Sequence, residues 1–319
     1  MAIVGLGRSP YSRDRAGATP GSLVLEAAVA ALRDAGLAAT DVDGICGSAV
    51  KAQYVQAGLG IPQVSWFANP PMVIGNQVVA AVAAVASGMS DTVLMYHHAY
   101  RGPGTSRAAA SDPARRRSTL GGGDPRSWWG TGHNEIGPRS MFGAVAYAAW
   151  ADRYLTEHGY DRTALGRVAL NSRTNAAANP NAVFREPMSM DDYLAGRMVR
   201  DPLCVYDMDV PVDGADAFVV TTTERARDLP HPPVLIHAAT LGHTDFGSEE
   251  QLVDLDHSGQ HVVCDRLWHK SELELADIDV YLPYEGFSNI ALAWFENVGY
   301  CGKGEGGAFV ADHWDEAQH

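Results

Sequence analysis

Gly75 to Tyr96 reads GNQVVAAVAAVASGMSDTVLMY. Its first part, Gly75 to Gly88, is small and apolar on nearly every helical face, which predicts a helix buried on all sides. Asp91 to Tyr96 then predicts a buried strand. The wider apolar stretch, Val73 to Met95, is broken by Asn76, Gln77, Ser87, Gly88, Ser90 and Asp91, so it does not read as a membrane span. A buried helix feeding a strand is the repeating unit of an α/β fold.

The alternation extends both ways. Ala2 to Gly7 predicts a strand, and Pro20 to Gly36 a helix with proline at its start and glycine as its stop. Asp41 to Ser48 predicts a second strand. Met141 to His158, closed by Gly159, and Asp161 to Ala178, stopped by Asn179-Pro180, predict helices. Ser189 to Met198 predicts a short helix capped by Ser189. Ala215 to Thr221 and Pro233 to Ala239 have strand character. Leu273 to Leu282 predicts a helix end and then a strand (ADIDVYLP), and Gly286 to Val298 a helix closed by Gly299. Gly306 to Val310 predicts the beginning of one more strand. Arg101 to Arg139 departs from this rhythm, with Arg115-Arg116-Arg117 and Gly121-Gly122-Gly123, and reads as a long excursion loop of a functional or disordered kind. One internal echo is present: Leu37-x-x-x-Asp41-Val42-Asp43 and Leu273-x-x-x-Asp277-Ile278-Asp279 share spacing and context, a hint of a duplicated α/β unit.

With 319 residues, 46% of them hydrophobic, the chain can bury a substantial core, which excludes disorder as its main state. The formal charge of −14 makes it a poor binder of nucleic acid or anionic membranes. Lysine occurs only at Lys51, Lys270 and Lys303; every other cation is arginine. Cys46, Cys204, Cys264 and Cys301 have no metal spacing and suit a reducing, cytoplasmic setting, and no signal peptide is visible after Met1. GxGxxG after the first strand, GxxxxGK[ST], GxSxG and HExxH are all absent.

Several residues can carry chemistry. Tyr284, in Tyr284-Glu285-Gly286-Phe287, stands after a predicted strand and before a helix, where ligands of open α/β sheets bind and where a tyrosine can transfer a proton. Packing at the junction is the alternative. Gly75 and Asn76 open a helix whose free N–H groups can face an anion or oxyanion, or simply make a tight turn. Arg115, Arg116 and Arg117 can contact phosphates of a large anionic ligand, with Trp128-Trp129 covering an aromatic or sterol-like surface, or can belong to a solvated loop. Of His97-His98, His98 at a strand end is the general-base candidate, against a structural role. Asp213-Gly214-Ala215-Asp216 reads as a turn.

Taken in order, LEAAVAALRDAGLAATDVDG (25–44), VAAVAAVASGMSDTVLMY (79–96), MFGAVAYAAWADRYLTEHG (141–159), NPNAVFREPMS, PVDGADA, ADIDVYLPYEGFS and GYCGKGEGGAFV resemble the thiolase superfamily. The nearest branch is the lipid-transfer-protein group related to sterol-carrier-protein thiolases. The resemblance implies a five-layer αβαβα fold of two related βαβαβ-type halves, residues 1–228 and 229–319, the second apparently incomplete after His319. It also implies a homodimer. The departures carry the function. Where a thiolase has its nucleophilic cysteine, this chain reads Pro71-Met72-Val73-Ile74-Gly75-Asn76, which leaves acyl transfer without its nucleophile. Where it has NEAF or HDCF, this chain has Tyr284-Glu285-Gly286-Phe287. That combination looks like the steroid side-chain aldolases of the branch. It implies retro-aldol cleavage of a β-hydroxy steroid acyl-CoA to a 17-ketosteroid and propionyl-CoA, with no cofactor beyond the CoA of the substrate and with a separate OB-fold/zinc-ribbon partner protein. The rival expectations are a thiolase or acyltransferase using another cysteine, and a non-catalytic lipid- or CoA-binding subunit.

Overall fold

The computed structural model describes residues 1–13, 17–70, 74–100, 144–210, 212–244 and 254–315. Along the chain run β1 (Ala2–Arg8), α1 (Pro20–Asp34), β2 (Gly44–Gly47), α2 (Ala52–Leu59), β3 (Trp66–Ala68), α3 (Ile74–Ala86) and β4 (Thr92–Ala99). Then come α4 (Ala144–His158), α5 (Thr163–Ala178), α6 (Met190–Leu194), β5 (Met198–Arg200), β6 (Leu203–Cys204), β7 (Gly214–Thr221), α7 (Thr223–Ala226), β8 (Val234–Leu235), α8 (Gly259–Lys270), α9 (Ser288–Val298) and α10 (Gly306–Asp312). They form two compact units, Met1–Thr119 with Pro211–Leu241, and Leu120–Val210 with Gly242–His319.

The first unit is a six-stranded mixed sheet in the order β3-β2-β4-β7-β1-β8. β2 pairs in parallel with β3 and β4, whereas β7 runs antiparallel to both β4 and β1. α1 covers one face with Leu23, Val24, Ala27, Ala28 and Ala31. Its start is written locally: Pro20 occupies the first turn, and Thr19 and Ser22 form a reciprocal capping box. The helix lies so close to β1 that a Cβ on Gly7 would collide with the backbone of Ala27 and Ala31. α3 covers the other face, where Ala81, Ala84 and Val85 meet Cys46, Val93, Met95 and Val220. The expectation of a helix buried on all sides is corrected: only Gln77, Ala81, Ala84 and Val85 are fully buried, because one sheet covers one stripe of a helix.

The echo noticed in the sequence has a common geometry. In each copy the first aspartate ends a 3₁₀ turn and takes the backbone N–H at the turn's start, Ala38 N to Asp41 Oδ2 at 2.8 Å and Glu274 N to Asp277 Oδ2 at 2.8 Å. The copies then part. Asp43 receives Ser90 Oγ (2.7 Å), Thr92 N (2.8 Å) and Asp91 N (3.0 Å), and leads into the fully buried β2. Asp279 leads into an irregular segment that makes no strand, with Val280 73% and Leu282 87% exposed. The strand expected in ADIDVYLP is thus absent: a segment becomes a strand only with a ladder partner, and none pairs with it among the described residues.

Burial works against ionisation of Asp43, but the bonds from Asp91 N, Ser90 Oγ and Thr92 N outweigh it and hold the carboxyl below the ordinary range. A carboxyl whose folded pKa is depressed contributes stability that is complete above its unfolded pKa, about 3.9, and lost as pH falls through the folded value. Asp43→Asn is expected to cost about 1–2 kcal/mol at pH 7 and much less at pH 2, read from urea midpoints.

The second unit packs α4, α5 and α9 around Tyr154, Leu155, Leu165, Ala291 and Leu292, with the β5-β6 hairpin and α6 alongside. Ser189 caps α6 through a capping box with Asp192, as the sequence indicates. The strand expected from Gly306 is a helix instead. Gly306 and Gly307 have no Cβ to strike Glu296, Tyr154 and Tyr160, Gly306 N donates to Glu296 Oε1 (2.9 Å), and Phe309 joins an aromatic cluster with Phe295 and Tyr300. The strand expected over Pro233–Ala239 is reduced to Val234–Leu235 at the sheet edge.

Candidate active site

In the first unit the chemistry gathers at the C-terminal ends of β2 and β4. α3 follows β3 and precedes β4 in a crossover between parallel strands, so its N-terminus faces those ends. The contact of Cys46 Sγ with Gln77 O (3.7 Å) fixes the level at which its first turn lies. Gly75 and Asn76 belong to that turn. No acidic side chain occupies it, and a Cβ on Gly75 would meet nothing nearer than Leu241 at 3.9 Å.

Beside them, the chain leaves β2 through a strained turn. Val50 N donates to Ser48 O at 2.7 Å, and Ala49 between them has φ +60°, a left-handed value that a residue with a Cβ rarely adopts. Three bonds hold the turn: Asn69 Nδ2 to Gly47 O (2.8 Å) and to Val50 O (3.3 Å), and Tyr96 Oη to Val50 O (2.5 Å). The result is a serine that is 1% exposed, with Oγ 3.4 Å from His97 Nδ1.

Strand alternation separates the two histidines. His97 shares the α3 face with Val93 and Met95, and pairs directly with Asp216 of β7. His98 lies on the α1 face with Leu94 and Tyr96; its buried Nδ1 has no partner among the described residues. Burial and then the neighbouring His97 push His98 down to about 4. Burial also lowers His97, against the opposing charge of Asp216. Sequence reasoning singled out His98 and missed His97, Ser48 and Asp216; the period of two along TVLMYHHA separates the histidines. The turn expected at Asp213–Asp216 is corrected too: Gly214 begins β7.

In the second unit Tyr284 follows that irregular segment and is 62% exposed. Its hydroxyl lies directly over Gly286, where any Cβ would strike it. Gly286 O accepts from Asp209 N (3.1 Å), Phe287 bridges Met208, and the Phe287 ring stacks on Tyr147 at 4.0 Å. The motif is therefore anchored at Gly286 and Phe287 while the tyrosine stays open to solvent. A cavity of about 480 Å³ adjoins this segment, between Tyr281, Leu282 and Glu285 and the polar side of α5 at Arg167, Asn171 and Asn175.

The four cysteines, all unpaired, speak against nucleophilic work. A nucleophilic cysteine acts as thiolate and carries a lowered pKa. Here burial pushes Cys46 and Cys301 up to about 12 and Cys264 up to about 11, and it raises Cys204 as well. Arg115, Arg116, Arg117 and the excursion loop lie outside the described residues, as do Pro71, Met72 and Val73. No helix among the described residues is long and apolar enough to cross a membrane.

Comparison with known proteins adds the following. No protein-family model matches the chain. It is 31% identical to the steroid side-chain-cleaving aldolase of Thermomonospora curvata, over 98% of this chain and 80% of that protein. It is 32% identical to the 17-hydroxy-3-oxo-4-pregnene-20-carboxyl-CoA lyase of Mycobacterium tuberculosis, over 98% of this chain and 81% of that one. Among solved structures it is similar to the Ltp2-ChsH2(DUF35) aldolase, with TM-score 0.79 and 30% identity, over 98% of this chain and 80% of the other. A monomeric SCP2-thiolase-like protein from Mycobacterium smegmatis shares the fold, with TM-score 0.65 at 19% identity, over 94% of this chain and 63% of the other.

Proposed function

The chain belongs to the steroid side-chain-cleaving aldolases of the thiolase-like lipid-transfer branch, and from that premise we propose which substrate it takes and which residues act. It is a carbon–carbon lyase working by retro-aldol cleavage. The substrate proposed is a 17-hydroxy steroid whose side chain ends in a CoA thioester, as the name of the M. tuberculosis lyase describes. In such a molecule C20 is α and C17 is β to the thioester. Loss of the 17-hydroxyl proton breaks C17–C20, releases a 17-ketosteroid and leaves a three-carbon enolate that is protonated to propionyl-CoA. No acyl group is transferred, so no nucleophile is needed. That agrees with Ile74-Gly75-Asn76 opening α3 and with four thiols raised by burial.

Tyr284 is assigned the proton transfer at the hydroxyl or the enolate. The N–H groups of Gly75 and Asn76, at the positive end of α3, are assigned the thioester oxygen, where negative charge develops. The observation that carries the reading is the tyrosine of YEGF held over Gly286 in a chain without a poised cysteine. Gly286→Ala tests it: the new Cβ displaces the Tyr284 hydroxyl. Ketosteroid release is expected to fall about 10²-fold, as for a misplacement of about 1 Å. The melting temperature should change little, since what moves is the outer end of a side chain that is 62% exposed.

A DUF35-type partner, of the OB-fold and zinc-ribbon kind, is proposed for this chain, as the name of the Ltp2-ChsH2(DUF35) structure suggests. A homodimer is proposed as well, and the apolar side of α3 that the sheet leaves uncovered supports it. The four free cysteines suit a reducing, cytoplasmic compartment. The reaction is tested by incubating the chain, with and without the partner, on the 17-hydroxy steroid CoA thioester and assaying ketosteroid and propionyl-CoA.

A further inference from the structure

His97, Asp216 and Arg8 stand on neighbouring positions of β4, β7 and β1, and Ser48 follows directly on β2, in the sheet order β2-β4-β7-β1. Gly47 pairs with Tyr96, so Ser48 comes level with His97; His97 pairs with Asp216, and Asp216 with Arg8. Paired residues project on the same side of a sheet, and here that side is the one α3 covers. Further along the strands this face is wholly apolar, with Val93, Met95, Phe218 and Val220. The polar row begins at the level of α3's first turn.

We propose that His97 is a hydrogen-bond donor to the thioester enolate, its Nε2–H joining the N–H groups at the start of α3, and that Ser48 is the residue that positions it. The inference rests on the aldolase reading and deepens it.

Two lines support the assignment. The first is the strained turn. A left-handed alanine costs free energy, and it persists where surrounding bonds over-determine it. Asn69 and Tyr96 supply those bonds, and the outcome is a buried serine aimed at an imidazole. The second is the tautomer. A buried hydroxyl needs an acceptor for its proton. Among the described residues the Ser48 hydroxyl has one hydrogen-bonding neighbour, His97 Nδ1. Ser48 therefore donates, Nδ1 accepts, and the proton of the neutral ring is on Nε2. The groups around the ring are mixed in charge. β7 brings Asp216, whose Oδ1 accepts from Tyr11 Oη at 2.5 Å; β1 brings Arg8; β2 brings the buried Cys46; His98 follows on the same strand, and α3 carries no titratable side chain. Burial is the largest influence and favours the neutral ring. A neutral imidazole donates to a developing enolate without surrendering its proton.

The first experiment needs no substrate. Nitrogen NMR of the histidine-labelled full chain is expected to show His97 neutral at pH 7 with its hydrogen on Nε2, and Ser48→Ala is expected to bring the Nδ1–H form up. A wild-type ring protonated on Nδ1, or charged at pH 7, would overturn the proposal. The second uses the partner-bound enzyme. His97→Ala is expected to lower kcat about 10²-fold or more with KM little changed, and His97→Gln, which restores an N–H donor, to recover about tenfold of it. A kcat for His97→Ala within twofold of wild type would also overturn it. If the wild-type enzyme itself released no ketosteroid, the aldolase reading would fail; a wild-type enzyme that turns over while His97→Ala matches it sinks only this inference.

Discussion

Tyr284→Phe is expected to reduce ketosteroid release by about 10²–10⁴-fold, the range a positioned proton-transfer group supplies, with the thermal midpoint unchanged. The two halves of this expectation have separate physical grounds. Phenylalanine keeps the ring and removes only the hydroxyl, which lies over Gly286 and outside the core. Because the side chain is 62% exposed, its loss removes little buried structure. The backbone that carries it stays pinned by Asp209, Met208 and the Phe287–Tyr147 stack. A variant with normal melting and normal turnover would remove Tyr284 from the mechanism. The measurement is single-turnover product formation beside a melting curve on the same preparation.

Gly7→Ala is expected to destabilise the first unit by about 3 kcal/mol, the upper end of the overpacking range, although one methyl group is added to a strand of apolar residues. The atoms in the way are the backbone of Ala27 and Ala31, so no rotamer change makes room. α1 must back away from β1, and Leu23, Val24 and Ala28 lose contact with the sheet. Gly17→Ala is a poor control, because Gly17 has φ +82°. Ala30→Ser, on a partly exposed position of the same helix, is the suitable one and is expected to cost less than about 0.5 kcal/mol. Equilibrium denaturation of the two variants side by side checks the difference.

These cases show where the sequence was legible. The ends of α1, α6 and α9 follow from local chemistry: Thr19-Pro20 with Ser22, Ser189 with Asp192, and Gly299 at φ +106°. The L-x-x-x-D-h-D echo was legible because a four-residue turn contains its whole explanation. ADIDVYLP was misread because a strand is a relation between segments, and pattern alone cannot supply the partner. GEGGAFV was misread for a related reason: it is helical because Gly306 and Gly307 slip beneath Tyr154 and Tyr160, residues some 150 positions away in the chain. Among the candidate residues, Tyr284, Gly75 and Asn76 stand out through a family motif and a helix start. His97 and Ser48 do not, because their meaning lies in the pairing of β2, β4 and β7 and in the turn at Ala49.

The absence of a poised cysteine separates the two chemistries open to a thiolase-like chain. Thiolysis moves an acyl group onto a cysteine and then onto free CoA, and it needs that CoA as a co-substrate. Retro-aldol cleavage needs none, because the fragment leaving the steroid already carries its CoA. The most direct measurement is therefore product formation from the 17-hydroxy steroid CoA thioester, with the partner present and free CoA scrupulously removed. 17-Ketosteroid and propionyl-CoA are expected in equal amounts, at a rate that added CoA does not raise and iodoacetamide does not abolish. Product that appears only when free CoA is supplied, or that vanishes on alkylation of one cysteine, would contradict this expectation.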